Sequence, residues 1–357
     1  MSTTNKANRH FTAEDMNLFS WAGSKRKYKN SFETAHAELK VKKVKYYIEV
    51  FAGSLASLFH NIEHVDAETI VINDINKKLI NLYRHIQKSP KELFEKFKIL
   101  EDEYMRIIPE HLLNKKLVPK EDREEFQANN DFYLEVRAVL NSIDLDINHA
   151  ALLLFLLNRN FNGLYSENKK GKINSSFNWS AKALNMTKIE TAINNLHLFF
   201  NANQIVFETM DAAKLIEKYE CEDTFIYLDP PYIDTEVQYT QQNEKSFNLL
   251  QTHLDMLESC NKYRYVLYSN NHHEAFIPLF DGYTNFFRSN NISANDKKNK
   301  KELLAYKVNQ AKAIEFMPVV QLLDISLQKD ITPVNNPIQS KAVSKLLDLD
   351  MPENGAA

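Results

Sequence analysis

Short apolar runs, each closed by a turn and followed by helical spacing, constrain this chain more than any other feature. "YYIEVFAGSLASLFH", residues 46 to 60, reads as a strand, a tight turn at Gly53 and a helix start. "TIVINDIN", 69 to 76, reads as a second strand ending in Asp74. "KKLINLYRHIQ", 77 to 87, carries Leu79, Ile80, Leu82, Tyr83 and Ile86 at helical spacing. Alternating strands and helices are the sign of a mostly parallel sheet, so the expected class is α/β. From about 88 to 185 the pattern changes to charged amphipathic helices and a polar stretch, "LNRNFNGLYSENKKGKINSSFNWS", that suits an exposed hairpin or loop. The alternation resumes near 186, with further strands at 225 to 228 and "RYVLYSN", 264 to 270, and a last hairpin or strand in 292 to 309.

"FIYLDPPYIDT", 225 to 235, poses a sharper question. A buried strand stops on Asp229-Pro230-Pro231-Tyr232. Neither proline can donate a backbone hydrogen bond, and Pro230 holds Asp229 extended. The product is a rigid loop at the carboxyl end of a strand, where ligands sit in open α/β sheets. The plainer reading is a Pro-Pro turn with a capping aspartate. The first strand supplies a second candidate: Glu49, Phe51 and Gly53, with Asp74 following 21 residues after Gly53. That spacing suits a carboxylate on ribose hydroxyls. A single glycine cannot make a pyrophosphate cradle, so a nucleoside ligand without phosphates fits better. The alternatives are a simple turn at Gly53 and a helix cap at Asp74.

The charge balance, 44 basic against 47 acidic residues for a net −3, argues against a nucleic-acid coat but leaves room for a local basic cleft. Cys221 and Cys260 make neither a disulfide framework nor a metal cluster, so no metal is expected and a reducing cytoplasm is the default. "MSTTNKANRH" lacks the apolar core of a signal peptide. "AALLLFLL", 150 to 157, is too short to span a bilayer and reads as a buried helix, so no membrane is expected.

Four ordered segments resemble the Dam-type (D12 class) DNA adenine-N6 methyltransferases. "FSWAGSK" resembles the family's F-x-x-W-A-G-G-K, and "EVFAGSLAS" its E-P-F-x-G-S-G-A. "NRNFNGLYSENKKGKINSSF" resembles its N-R…N-G-L-x-R-x-N-x-x-G-x-F-N-V-P-F, and "LDPPY" its D-P-P-Y. The resemblance covers roughly 17 to 309. It implies a Rossmann-like S-adenosylmethionine-dependent methyltransferase sheet, formed by 1 to 87 and 186 to 311, with an inserted, mainly helical target-recognition domain at 88 to 185. Residues 312 to 357, outside the resemblance, read from their apolar patch and Pro/Asn/Gln stretch as a tail or an appendage for a protein partner. It implies S-adenosyl-L-methionine as cofactor, held by Trp21, Ala22, Gly23, Lys25, Phe51, Ala52, Gly53, Ser54, Asp74 and, on a weaker local match, Asp211. It implies double-stranded DNA as partner, met by Phe161 as a wedge, Asn162, Ser166, Asn168, Lys169, Lys170 and Lys172. Asp229, Pro230, Pro231 and Tyr232 are the implied catalytic set. For the three lysines, as for Lys25-Arg26-Lys27 and Lys297 to Lys301, a solvated charged surface is the alternative.

Three departures bear on function. Leu55 stands where the family has the second glycine of its cofactor turn, and a leucine there would crowd the ligand or rearrange the turn. Ser166 replaces an arginine that reads guanine in the members that methylate GATC. "NSSF" replaces N-V-P-F, so Ser175 and Ser176 change the contacts. The expected activity is site-specific adenine methylation of a target other than GATC. The alternatives are a non-catalytic or weakly active DNA-binding relative and an enzyme acting on RNA or a protein amide.

Overall fold

A computed structural model describes residues 12–41, 43–221, 223–231, 249–260, 263, 265–271, 284–290 and 300–307. Tyr232, the 297 to 299 part of the late lysine cluster and the 312 to 357 tail lie outside these residues.

The sheet holds seven strands: β1 Lys43–Glu49, β2 Asp66–Asn73, β3 Ile205–Glu208, β4 Thr224–Leu228, β5 Tyr265–Asn271, β6 Thr284–Asn290 and β7 Lys300–Lys307. Their spatial order is β3-β2-β1-β4-β5-β7-β6. The first five run parallel, and β7 inserts antiparallel between β5 and β6. The expected α/β sheet is present; the last hairpin or strand expected in 292 to 309 is the single strand β7, and its partner β6 lies before that range, where the sequence pattern predicts no strand. The chain walks outward from β1 to β2 and β3, then crosses back to place β4 on the other side of β1, in register Glu49 with Tyr227. That reversal is a topological switch point, where the carboxyl ends of two neighbouring strands open a crevice.

Burial explains why the central strands read as unbroken apolar runs. Phe225, Ile226, Tyr227 and Leu228 are each 0% exposed, and a parallel sheet covered on both faces asks for this. Alternate side chains feed two cores. Tyr47, Phe225, Tyr227 and Leu267 pack into one with α1 (Lys29–Leu39), α2 (Ala56–Ile62) and α3 (Lys77–Lys88). Ile48, Ile226, Leu228 and Val266 pack into the other with α8 (Ala212–Lys218) and α9 (Leu249–Cys260). Each large apolar side chain buried this way contributes about 1.5–3 kcal/mol.

Between β2 and β3 the chain builds α4 (Pro90–Arg106), α5 (Gln127–Leu140), α6 (Ile147–Arg159) and α7 (Met186–Ala202). "AALLLFLL" is the buried middle of α6, and these helices share one continuous apolar core with α1 to α3. Arg159, at the end of α6, forms a buried ion pair with Glu101 of α4, stacks 4.0 Å over the Tyr104 ring and donates to the Lys182 carbonyl at 3.0 Å. This knot anchors the start of the stretch 160–177, a ribbon that folds back on itself through bridges Asn160–Phe177 and Glu167–Ile173. No helix among the described residues is long and apolar enough to cross a membrane.

Candidate active site

The site grows from the ends of β1, β2 and β4. After β1, the backbone turns through Gly53 (φ +44), where a Cβ would meet the Trp21 indole nitrogen at 3.0 Å. The turn is clasped to its neighbour: Ala52 N donates to Asn73 O at 2.8 Å, Gly53 N to Asp74 Oδ2 at 3.1 Å, and Tyr83 Oη to the Gly53 carbonyl. Asp74 also accepts from Asn76 N at 2.9 Å. Asp74 therefore links two strand ends; the cap of α3 is Asn76, whose Oδ1 accepts from Lys78 N and Leu79 N. Burial raises the Asp74 carboxyl above its ordinary pKa, against the two backbone N–H groups it accepts from.

The segment 19–25 lies against this turn. Ser54 Oγ reaches Ser24 Oγ at 3.1 Å, and Trp21 stacks on Tyr165 of the ribbon with centroids 5.6 Å apart. Ala22 and Gly23 lie on the same segment, and Phe51 packs against the α8–α9 side of the sheet. The structure thus brings Trp21, Ala52, Gly53, Ser54 and Asp74 to one turn. Asp211 stands apart. It is exposed and caps α8 by accepting from Ala213 N and Lys214 N. It joins the group only through its neighbour Met210, whose N and O are both bonded to the Asn73 amide.

Leu55 does not crowd the crevice. Its backbone takes the left-handed conformation a glycine would favour (φ 63), and its side chain is 1% exposed in the core. That conformation costs a residue with a Cβ about 1–2 kcal/mol, and burial of a leucine offsets it with about 1.5–3 kcal/mol. The turn is kept and the side chain points inward.

Asp229 and the two prolines follow β4 directly. Both Asp229 oxygens accept from the Lys25 ammonium, at 2.7 and 2.6 Å, and Lys25 also donates to the Gly23 carbonyl at 3.0 Å. The Lys25 side chain is 2% exposed and that of Asp229 17%. Lys25 thus belongs to the carboxylate of the loop, although the resemblance assigns it to the cofactor. Below them Glu49 is buried between the hydroxyls of Tyr47 and Ser57, and burial pushes its carboxyl up to about 8.

The ribbon carries the expected DNA-facing residues. Phe161 is 44% exposed at its base, followed by Asn162 with positive φ. Asn168 closes the tip by accepting from Lys170 N and Lys172 N, and Lys169, Lys170 and Lys172 are exposed. Side chains alternate along both arms. Tyr165, Glu167, Ile173, Ser175 and Phe177 are buried, whereas Leu164, Asn168, Lys172, Asn174 and Ser176 are exposed. Ser166 is half-buried and donates to Asn174 Oδ1 at 2.8 Å. Ser175 faces inward: its hydroxyl accepts from Ser166 N and its carbonyl from Tyr133 and Arg137.

Several residues that matter here carry no motif. Glu167, 6% exposed, accepts from the Tyr165 hydroxyl and from Lys78 of α3 at 2.8 Å, and Lys78 also holds the Gly171 carbonyl. At the ribbon's base, a Cβ on Gly163 (φ +68) would come within 2.7 Å of the Ser20 carbonyl oxygen. The two-residue alternation of Tyr165 and Glu167 was the available signal. Among the described residues no cluster suited to a metal ion occurs.

A sequence model of the D12 class N6 adenine-specific DNA methyltransferases matches residues 21–295. Type II methyltransferase M.MjaIII of Methanocaldococcus jannaschii is 27% identical over 239 residues, 64% of this chain and 73% of that protein. Type II methyltransferase M1.LlaDCHI of Lactococcus lactis subsp. cremoris is 26% identical over 217 residues, 60% of this chain and 64% of that protein. The DNA adenine methylase of Vibrio cholerae is 27% identical over 206 residues, 57% of this chain and 62% of that protein. The match to the last two thus spans under two thirds of their length.

Proposed function

The chain belongs to the D12 class of N6 adenine-specific DNA methyltransferases, and we propose that it moves a methyl group from S-adenosyl-L-methionine to the amino nitrogen of an adenine turned out of duplex DNA. The carrying observation is the position of the Asp229 loop at the switch point, beside the clasp of Gly53 and Asp74.

The residues at the clasp fit the cofactor. A half-buried carboxylate, Asp74, stands at the end of β2, an aromatic wall is provided by Trp21, and the Leu55 side chain is turned into the core. Asp74 uses one lone pair of each oxygen on backbone N–H groups, which leaves acceptor capacity for ribose hydroxyls. When bound, S-adenosyl-L-methionine supplies an electrophilic methyl group on a sulfonium.

The exocyclic nitrogen of adenine is a weak nucleophile because its lone pair is delocalised into the ring. Asp229 and the Pro230 carbonyl accept hydrogen bonds from that amino group, which favours a pyramidal, more nucleophilic nitrogen. Lys25 holds the carboxylate in place, and one ammonium does not exhaust the acceptor capacity of two carboxylate oxygens. The prolines keep the loop from relaxing, so the acceptors are set before the substrate arrives. By the resemblance, Tyr232 is the residue that would stack on the base. The adenine reaches the loop only after leaving the stack, and Phe161, exposed at the ribbon's base, fills the step it vacates. Because Ser166 and Asn174 occupy the face where the family's guanine-reading arginine would stand, the target differs from GATC.

Modification-sensitive long-read sequencing of DNA from a methylation-free host expressing the protein tests this. Methylated adenines within one recurring sequence are expected, and they vanish with Asp229→Asn. A folded protein that leaves every adenine bare would overturn the reading.

A further inference from the structure

A loop made of prolines has a fastening problem. Pro230 and Pro231 have no N–H to give, so their backbone can be tied to the scaffold only through carbonyls. One of these is tied from outside the site. His253, on α9, places Nε2 3.0 Å from the Pro231 carbonyl oxygen. The imidazole is 1% exposed. Its Nδ1 meets the hydroxyl of Tyr268 on β5, and that oxygen lies 2.9 Å from Asn270 Nδ2.

The carbonyl orders the protons along this row. It can only accept, so Nε2 carries the hydrogen. In a neutral imidazole Nδ1 then accepts. Tyr268 therefore donates to Nδ1, and its oxygen accepts from the Asn270 amide. Burial holds the imidazole down to about 4, so the neutral form is present at any ordinary working pH. The row thus has one direction, Asn270 to Tyr268 to His253 to Pro231, and ends on the loop. The rest of α9 does not need the imidazole to hold its place: Met256, Leu257 and Cys260 pack into the core beside β4 and β5.

We propose that His253 is a positioning residue for methyl transfer: its Nε2–H holds the Pro231 carbonyl and so fixes where Asp229 and the Pro230 carbonyl await the adenine amino group. This rests on the reading of the Asp229 loop as the site of methyl transfer. A histidine that merely fills the core would be replaceable by anything of similar volume. A positioning histidine must keep a donor at Nε2.

Single-turnover transfer of a labelled methyl group to DNA from a methylation-free host separates the two. His253→Gln keeps an amide donor at about the reach of Nε2. His253→Asn keeps an acceptor for Tyr268 but falls short of Pro231. The Gln variant is expected within about fivefold of the wild-type rate, and the Asn variant about 10–100-fold below it, since a displacement near 1 Å can cost about 10²-fold. DNA affinity, measured by fluorescence anisotropy, stays unchanged in both. Equal rates for Gln and Asn, or a loss confined to DNA affinity, overturn the proposal. If the Asn variant melts early, His253→Met takes its place: it fills a similar volume with no donor for the Pro231 carbonyl, so an unchanged rate overturns the proposal equally. A wild-type protein that methylates nothing removes the functional reading itself, a result distinct from any difference between variants.

Discussion

The loop after β4 and the ribbon at 160–177 both leave the scaffold to meet DNA in the proposed reaction, and they are built in opposite ways. The loop turns its polar groups inward: both Asp229 oxygens lie on Lys25 and the Pro231 carbonyl lies on His253. The ribbon divides its groups by face. Tyr165 and Glu167 tie it to Trp21 and Lys78, while Asn168, Lys172 and Asn174 stand in solvent. The difference teaches what each task requires. Chemistry needs acceptors whose geometry is decided before the substrate arrives. Reading needs groups whose water can be exchanged for base edges, on a frame that does not move.

The comparison can be broken most severely at the loop. Asp229→Asn should lower single-turnover methylation about 10²–10³-fold, the scale for losing one preorganised electrostatic group. Lys25 keeps an acceptor in this variant. Asp229→Ala instead strands an ammonium that is 2% exposed, so it should also lower the melting temperature. A wild-type rate in the Asn variant would remove the loop from the mechanism.

Beneath the loop, Glu49 offers a pH test. Its carboxyl is raised from 4.5 to about 8 by burial. The folded state therefore binds the proton more strongly than the unfolded chain does. The resulting stability is fully present below about 4.5 and is lost as pH rises toward 8. Denaturant titrations across that window should show wild-type stability falling with pH. In Glu49→Gln the slope should flatten. Identical slopes would mean that Glu49 is ionised in the fold.

At the ribbon, Lys78→Met leaves Glu167 buried without its ammonium. Removing one partner of a buried pair costs about 3–5 kcal/mol. The loss should appear locally, as faster hydrogen exchange at 165–174 before any global unfolding. Uniform exchange would show that the ribbon's inward face is not fastened there. The smallest effects belong to the outward face. Replacing Lys169, Lys170 or Lys172 with Ala should lower the slope of log affinity against log salt by about 0.9 for each phosphate that the lysine had neutralised. The rate at saturating DNA should not change.

Much of this architecture was legible in the sequence, because it rests on local pattern. The runs ending at Glu49, Asn73 and Leu228 became strands because both faces of a parallel sheet are buried, and "AALLLFLL" became a helix core for the same reason. The hairpin announced itself through polar composition and Gly171. What escaped was pairing across distance. Nothing near Lys25 says that its ammonium will lie on Asp229, and nothing near His253 says that it will face Pro231. Leu55 also escaped: a leucine in the left-handed region carries no local signal, since only the core that receives its side chain makes the conformation tolerable.

The Lys25–Asp229 pair spans 204 positions of the chain. At about 5–20 residues per second of synthesis, roughly 10–40 s separate the appearance of the lysine from that of its carboxylate. Throughout that interval the first segment of the crevice waits for the carboxylate it rests on in the fold, so a growing chain holds half a site. Maturation of the reactive centre is thereby tied to the arrival of β4 and the loop behind it.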